Sequence, residues 1–157
     1  MLIGILSDTH DRIDALVIAL HMLRGRNVEH YIHCGDVGGG QRVLDQLAGL
    51  PVTFIWGNND WDVAALEDYA AGLGLSCGGR FVELTLGGKS FAVTHGDDGG
   101  LKKRILDGQQ RRIRCIRTHV QERRDLLDPV DRACYLTLGN RDLADELLKI
   151  VADRVCR

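Results

Sequence analysis

A chain of 157 residues, 45 % apolar and 27 % charged, has the composition of a single globular domain, 1–157, long enough to bury a core. No apolar run approaches the roughly 18 residues of a membrane span, and five cysteines without CxxC spacing indicate neither a disulfide framework nor a thiolate zinc site. The net charge of −2 is unevenly spread: residues 1–100 hold 6 Lys+Arg against 13 Asp+Glu, whereas 101–157 hold 14 against 9.

The chain opens on an apolar run, Met1 to Leu6, that reads as a buried strand and stops at Ser7-Asp8-Thr9-His10. This run leads directly into a polar motif and lacks a basic flank, so it belongs to the fold and not to a secretory leader. With reduced thiols, that gives an expected cytoplasmic location. Asp8 and His10 stand one residue apart, and extended backbone would point both side chains the same way.

Ile13, Leu16, Val17, Leu20 and Leu23 then follow helical spacing, with Gly25 as the expected stop. His30 to Cys34 reads as a second strand entering Gly35-Asp36-Val37-Gly38-Gly39-Gly40, and Val43, Leu44 and Leu47 as a short helix. Val52 to Trp56 is a third strand, ending in Gly57-Asn58-Asn59-Asp60, before a helix over about 62–73. This β-α alternation predicts a parallel sheet with right-handed crossovers. Two β-rich runs, 81–86 and 89–94, flank Gly87-Gly88 as a hairpin whose second strand ends in His95-Gly96-Asp97-Asp98. Leu101 to Leu106 reads as helix, Ile113 to Ile116 as a strand before Arg117-Thr118-His119, and Leu143 to Val155 as a closing amphipathic helix.

Four strand ends thus carry Asp8-Thr9-His10, Gly35-Asp36, Gly57-Asn58-Asn59-Asp60 and His95-Gly96-Asp97. Open α/β sheets place ligand sites at such ends. Carboxylate, imidazole and amide donors without thiolates suit Mn²⁺, Fe²⁺, Zn²⁺ or Ni²⁺, and paired ions of this kind hydrolyse phosphate esters. The basic stretch from Lys102 to Arg124 has no aromatic residue between Phe91 and Tyr135 to stack a base, so it reads as a solvated face and not as a nucleic-acid surface. His21, His30 and His33 read as core or surface residues. Trp56 and Trp61, either side of the Gly-Asn-Asn-Asp loop, fit core packing or a substrate cleft.

In order and spacing the four motifs resemble the calcineurin-like metallophosphoesterases, and in particular their small bacterial and archaeal phosphodiesterase branch, related to the retromer scaffold subunit. The resemblance is dense over residues 1–100. It implies a four-layer α/β/β/α sandwich of mixed sheets and a two-metal site. By position, one ion would take Asp8, His10, Asp36 and His119, and the other Asp36, Asn58 and His95, with Asp36 bridging. A metal-bound hydroxide would attack a small phosphodiester; no membrane partner is implied, and a homo-oligomer is compatible. Asn58 and Arg117 are the expected substrate contacts. Asn59, standing where phosphomonoesterases of the family carry a histidine, and Asp97, beside His95, are the expected catalytic supports. The family closes its site with Gly-His-x-His, where this chain reads Ile116-Arg117-Thr118-His119. Arg117 replaces a ligand of the second ion, which implies one tight ion instead of two, or a guanidinium that clamps the substrate phosphate. A weakly active or inactive scaffold on the same fold is the alternative.

Overall fold

The computed structural model describes residues 1–108, 113–117 and 147–149. Its elements run β1 (Ile3–Leu6), α1 (Ile13–Arg24), β2 (His30–His33), α2 (Gln41–Leu47), β3 (Val52–Phe54), α3 (Val63–Gly72), β4 (Ser76–Cys77), β5 (Phe81–Leu86), β6 (Lys89–Thr94), α4 (Gly99–Gly108), β7 (Ile113–Arg117) and β8 (Leu147–Lys149). A five-stranded sheet in the order β4-β3-β2-β1-β8 is parallel throughout. A three-stranded sheet pairs β5 antiparallel to β6, and β6 parallel to β7.

All four residues of β1 are buried, because apolar layers cover both faces of the parallel sheet. On one face Leu6, Tyr31 and Phe54 pack with Leu16, Leu20 and Leu23 of α1, Leu44 of α2 and Leu66 of α3. On the other, Ile3, Ile5, Ile32 and Ile55 meet Phe91 and Val93 of β6, with Val82, Leu84 and Leu86 of β5 against them. The period-two alternation of β5, Val82-Glu83-Leu84-Thr85-Leu86, turns its apolar side to that interface. The α/β mixed-sheet architecture matches the expectation as far as three layers; the fourth would draw on residues beyond 100, many of them outside the described residues.

Of the local expectations, one holds, one element went unread and one needs correction. α1 stops where expected, with Gly25 (φ −61) directly after Arg24 and donating its N–H to the His21 carbonyl, and the left-handed residue follows at Asn27 (φ 57). β4 is too short to signal itself: two residues pairing with Thr53 and Phe54 at the sheet edge. Within the predicted closing helix, Leu147–Lys149 forms a strand beside β1, Ile3 opposite Leu147 and Ile5 opposite Lys149. A short apolar run fits strand or helix equally by periodicity, and the open edge of β1 decides it.

Candidate metal centre

β1, β2, β3 and β6 all end at one place, and the loops after them are tied by backbone bonds. Asp8, His10 and Asp11 donate their N–H groups to the carbonyls of Gly35, Asp36 and Val37, each at 3.0 Å. The loop after β1 therefore runs alongside the loop after β2. Asp8 (φ 54), His10 (φ 45) and Asp36 (φ 57) are all left-handed. The extended-backbone expectation for Asp8 and His10 is thus wrong in its cause: two left-handed turns, not the pleat, bring the side chains together. Residues held in this region cluster at ligand sites, where surrounding bonds over-determine the backbone.

Asp8, His10 and Asp36 each offer a ligand atom, all within 4.8 Å of one another. His10 Nε2 lies 3.5 Å from Asp36 Oδ2 and 3.8 Å from Asp8 Oδ1. His95 Nε2, buried, lies 3.5 Å from the same Asp36 Oδ2. Ligand atoms about 2.1 Å from one tetrahedral ion stand about 3.4 Å apart, so these separations suit shared metal coordination better than direct hydrogen bonds. His95 Nδ1 donates to the Cys34 carbonyl at 2.9 Å, the arrangement that aims the other ring nitrogen at an ion. Ser7 Oγ donates to Asp8 Oδ2 and orients that carboxylate. The donor set fits a divalent cation.

Asp36 is buried and held from one side by Asn59, whose backbone N–H bonds Oδ1 at 2.9 Å and whose side-chain amide bonds Oδ2 at 2.7 Å. Burial pushes the Asp36 carboxyl up, but those bonds from Asn59 and the imidazoles of His95 and His10 outweigh it and hold it below the ordinary carboxylate range. Gly57 is required here: a Cβ would overlap Asp36 Oδ1. Gly35 (φ 99) is required as well, since its Cβ would meet the Gly57 nitrogen at 2.6 Å.

Asp60 fastens the loops after β2 and β3 together. Its Oδ2 accepts the N–H groups of Asp36 at 2.9 Å and Gly57 at 2.6 Å, and its Oδ1 that of Gly38 at 2.9 Å. Burial pushes its carboxyl up, against these three bonds. Asp60→Ala should therefore lower stability by about 2–3 kcal/mol, since three partly buried N–H groups lose their acceptor. Urea unfolding at pH 7 checks this; a loss below about 1 kcal/mol would mean water replaces the carboxylate.

The calcineurin-like phosphoesterase superfamily domain matches residues 1–127. The chain belongs to that superfamily. A phosphodiesterase of Methanocaldococcus jannaschii is 31 % identical over 99 residues, 61 % of this chain and 59 % of the relative, so the chain spans about three-fifths of that curated relative's length. Among solved structures, a novel archaeal phosphodiesterase superposes with TM-score 0.69 at 26 % identity, covering 84 % of this chain and 79 % of that one. A phosphoesterase from E. coli superposes at TM-score 0.50 and 20 % identity, covering 62 % and 58 % of the two chains. A protein of unknown function from Aquifex aeolicus superposes at 0.52 and 18 %, covering 79 % and 81 %. The last two speak to the fold alone.

Set against this superfamily's pattern, the expected site residues divide clearly. Asp8, His10, Asp36 and His95 converge, and Asn58 is exposed on the loop whose next residue grips Asp36. Asn59 spends its backbone N–H and one amide N–H on Asp36, which makes it a positioning group; an amide has no proton to give a leaving group. Asp97, two residues after His95, pairs with an arginine. Its Oδ2 takes Arg80 Nη2 at 2.7 Å, and His95 is oriented by a backbone carbonyl. Asp98 likewise accepts the Leu101 N–H at 2.9 Å, at the start of α4. His33 and Trp56 are core residues, Trp56 edge-on to Phe54 at 4.9 Å with its N–H on Glu67. Arg117 is level with Thr94 in the β6–β7 register, so its backbone stands beside the strand end that delivers His95. His119 lies outside the described residues.

Sequence reasoning missed the partners of Asp11 and Asp60. Both carboxylates bind backbone N–H groups of glycine-rich turns, Asp11 those of Gly39 and Gly40 at 3.1 and 3.2 Å. The run Gly38-Gly39-Gly40 was the available signal, because glycine lets backbone approach a carboxylate closely.

Proposed function

We propose that this chain is a divalent-metal-dependent phosphodiesterase acting on a small diester substrate. The observation that carries the reading is the pair of imidazoles 3.5 Å from one buried carboxylate oxygen, Asp36 Oδ2. Asp8, His10 and Asp36 would hold one ion, and Asp36, Asn58 and His95 a second, with Mn²⁺, Ni²⁺, Fe²⁺ or Zn²⁺ suited to the donors. Such ions supply Lewis-acid charge and acidify water near neutral pH. The chain's own residues do the positioning: Asn59 fixes Asp36, Ser7 fixes Asp8, the Cys34 carbonyl fixes the His95 tautomer, and Asp60 holds two of the loops in register. An intact donor cluster speaks against the inactive scaffold. No helix among the described residues is long and apolar enough to cross a membrane.

The second ion is the weaker one in this reading, because Arg117 occupies the place of a histidine ligand and adds a positive charge. Elemental analysis alongside hydrolysis of an aryl phosphodiester tests the proposal. Wild type should retain about one tight ion per chain and turn over slowly. Arg117→His, with Ile116→Gly to let the backbone turn, should raise both metal content and rate. Two tight ions already in wild type, or a rate that falls on substitution, would recast Arg117 as a clamp on the substrate phosphate. A protein that neither binds metal nor cleaves the diester would end the phosphodiesterase reading.

A further inference from the structure

Two tryptophans flank the loop that holds Asp36, and they behave oppositely. Trp56, just before it, is 1 % exposed, with its ring against Phe54 and its N–H on Glu67. Trp61, just after it, is 70 % exposed, more than any other large apolar side chain among the described residues. A tryptophan left in water forgoes the burial of one of the largest apolar surfaces a side chain offers, and single exposed aromatics next to a ligand site are commonly recognition groups.

The backbone around Trp61 is fixed. Asp60, its neighbour, bonds Asp36, Gly38 and Gly57. Asp62, on the other side, is left-handed (φ 47) and starts α3. Consecutive Cα atoms are 3.8 Å apart, so the Trp61 backbone stands one residue from a carboxylate that is hydrogen-bonded to Asp36 itself. The exposed indole thus springs from a fixed backbone, in the same loop as exposed Asn58 and Asn59.

A phosphodiester brings two ester groups to such a site, and one of them stays on the phosphate while the other leaves. A planar group on the retained side can lie on an aromatic face without any hydrogen-bond code, because every nucleobase has a π-face. We propose that Trp61 is a specificity-determining residue, a stacking platform that selects diesters carrying a nucleoside or comparable planar group. This rests on the phosphodiesterase reading above, and the test separates the two.

Two substrates sharing one leaving group isolate the retained side: thymidine 5′-(p-nitrophenyl) phosphate and methyl p-nitrophenyl phosphate, both assayed with Mn²⁺-loaded full-length protein. Wild type should show the lower KM for the nucleoside ester. Trp61→Ala should raise that KM by about 5- to 150-fold relative to the methyl ester, the loss expected for one base–aromatic stack. Trp61→Phe should recover most of the preference. Binding is read independently by titrating intrinsic fluorescence with thymidine 5′-monophosphate. The nucleotide should quench wild type and Trp56→Phe but leave Trp61→Phe little changed. If no variant hydrolyses either ester while the Trp61-dependent quench persists, the phosphodiesterase reading fails and the stacking site stands. An unchanged KM ratio together with a quench indifferent to position 61 overturns the proposal. So does an unchanged ratio with a concentration-dependent dimer lost in Trp61→Ala, which would make Trp61 a contact between copies of the chain.

Discussion

Asp36→Asn should strip the protein of tightly held divalent metal and lower diester hydrolysis by more than about 100-fold, beyond the 10- to 100-fold that losing a ligand's supporting partner costs. One oxygen is central to this expectation. Asp36 Oδ2 lies 3.5 Å from His10 Nε2, 3.5 Å from His95 Nε2 and 2.7 Å from the Asn59 amide. Asn59 donates to both carboxylate oxygens, so an amide at position 36 must either turn its NH₂ toward a donor or place it between the two imidazoles. Neither orientation restores a ligand shared by two ions. The chain should remain folded, because the substitution preserves shape in a site whose loops are held by Asp60 and by backbone bonds. Metal content and diesterase rate measured on one preparation check this. Activity near wild type in Asp36→Asn would sink the metal mechanism.

The sequence made the ligand types legible because they fall at successive strand ends, where an alternating β-α pattern leaves little freedom. The hairpin of β5 and β6 was legible for a related reason: Gly87-Gly88 supplies the two positive-φ residues, φ 55 and φ 72, that a tight turn between twisted strands demands. What could not be read was how the side chains are aimed. His10 and Asp8 converge through left-handed backbone, which asparagine, aspartate and histidine tolerate but do not announce. Asp97 looked like a support for the neighbouring histidine, yet an arginine from the β4–β5 connection pairs with it. Such assignments depend on which donor lies nearest in space, and sequence distance gives no guide to that. Leu147–Lys149 failed for the opposite reason: its apolar run fits two periods, and only the neighbouring strand selects one.

Acid should destabilise the metal-free protein well above the pH at which its carboxylates titrate, and His33 is the cause. Its ring is buried, with Nδ1 accepting the Gly35 N–H at 3.3 Å and Nε2 at 3.1 Å from Thr9 Oγ1. An acceptor at Nδ1 puts the proton on Nε2, which donates to Thr9. The Thr9 hydroxyl in turn faces the carbonyls of Asp36 and Val37 at 3.4 and 3.3 Å. A second proton on the ring would displace the Gly35 bond and leave a buried charge. Burial first, then the nearby His95, push the His33 pKa from 6.5 down to about 3, with Asp36 pulling the other way and His10 adding a little to the depression. A folded-state value below the unfolded one means the stabilisation is complete above pH 6.5 and lost progressively as the pH falls toward 3, because the unfolded chain takes up a proton that the fold refuses. The loss runs at roughly 1 kcal/mol per pH unit, on the order of 2 kcal/mol between pH 7 and pH 5. His30, partly buried and also lowered, works in the same direction. Asp36, lowered as well, adds its loss only near and below its ordinary value of 3.8, whereas Asp60, raised, works in the opposite sense. His33→Gln keeps an acceptor for Gly35 and a donor for Thr9 without a titrating group. Urea unfolding in the presence of a chelator should therefore show a shallower pH dependence for His33→Gln than for wild type over that window, whatever its stability at pH 7. Equal slopes would mean that the buried imidazole takes a proton within the fold and that His33 is not the source of the acid sensitivity.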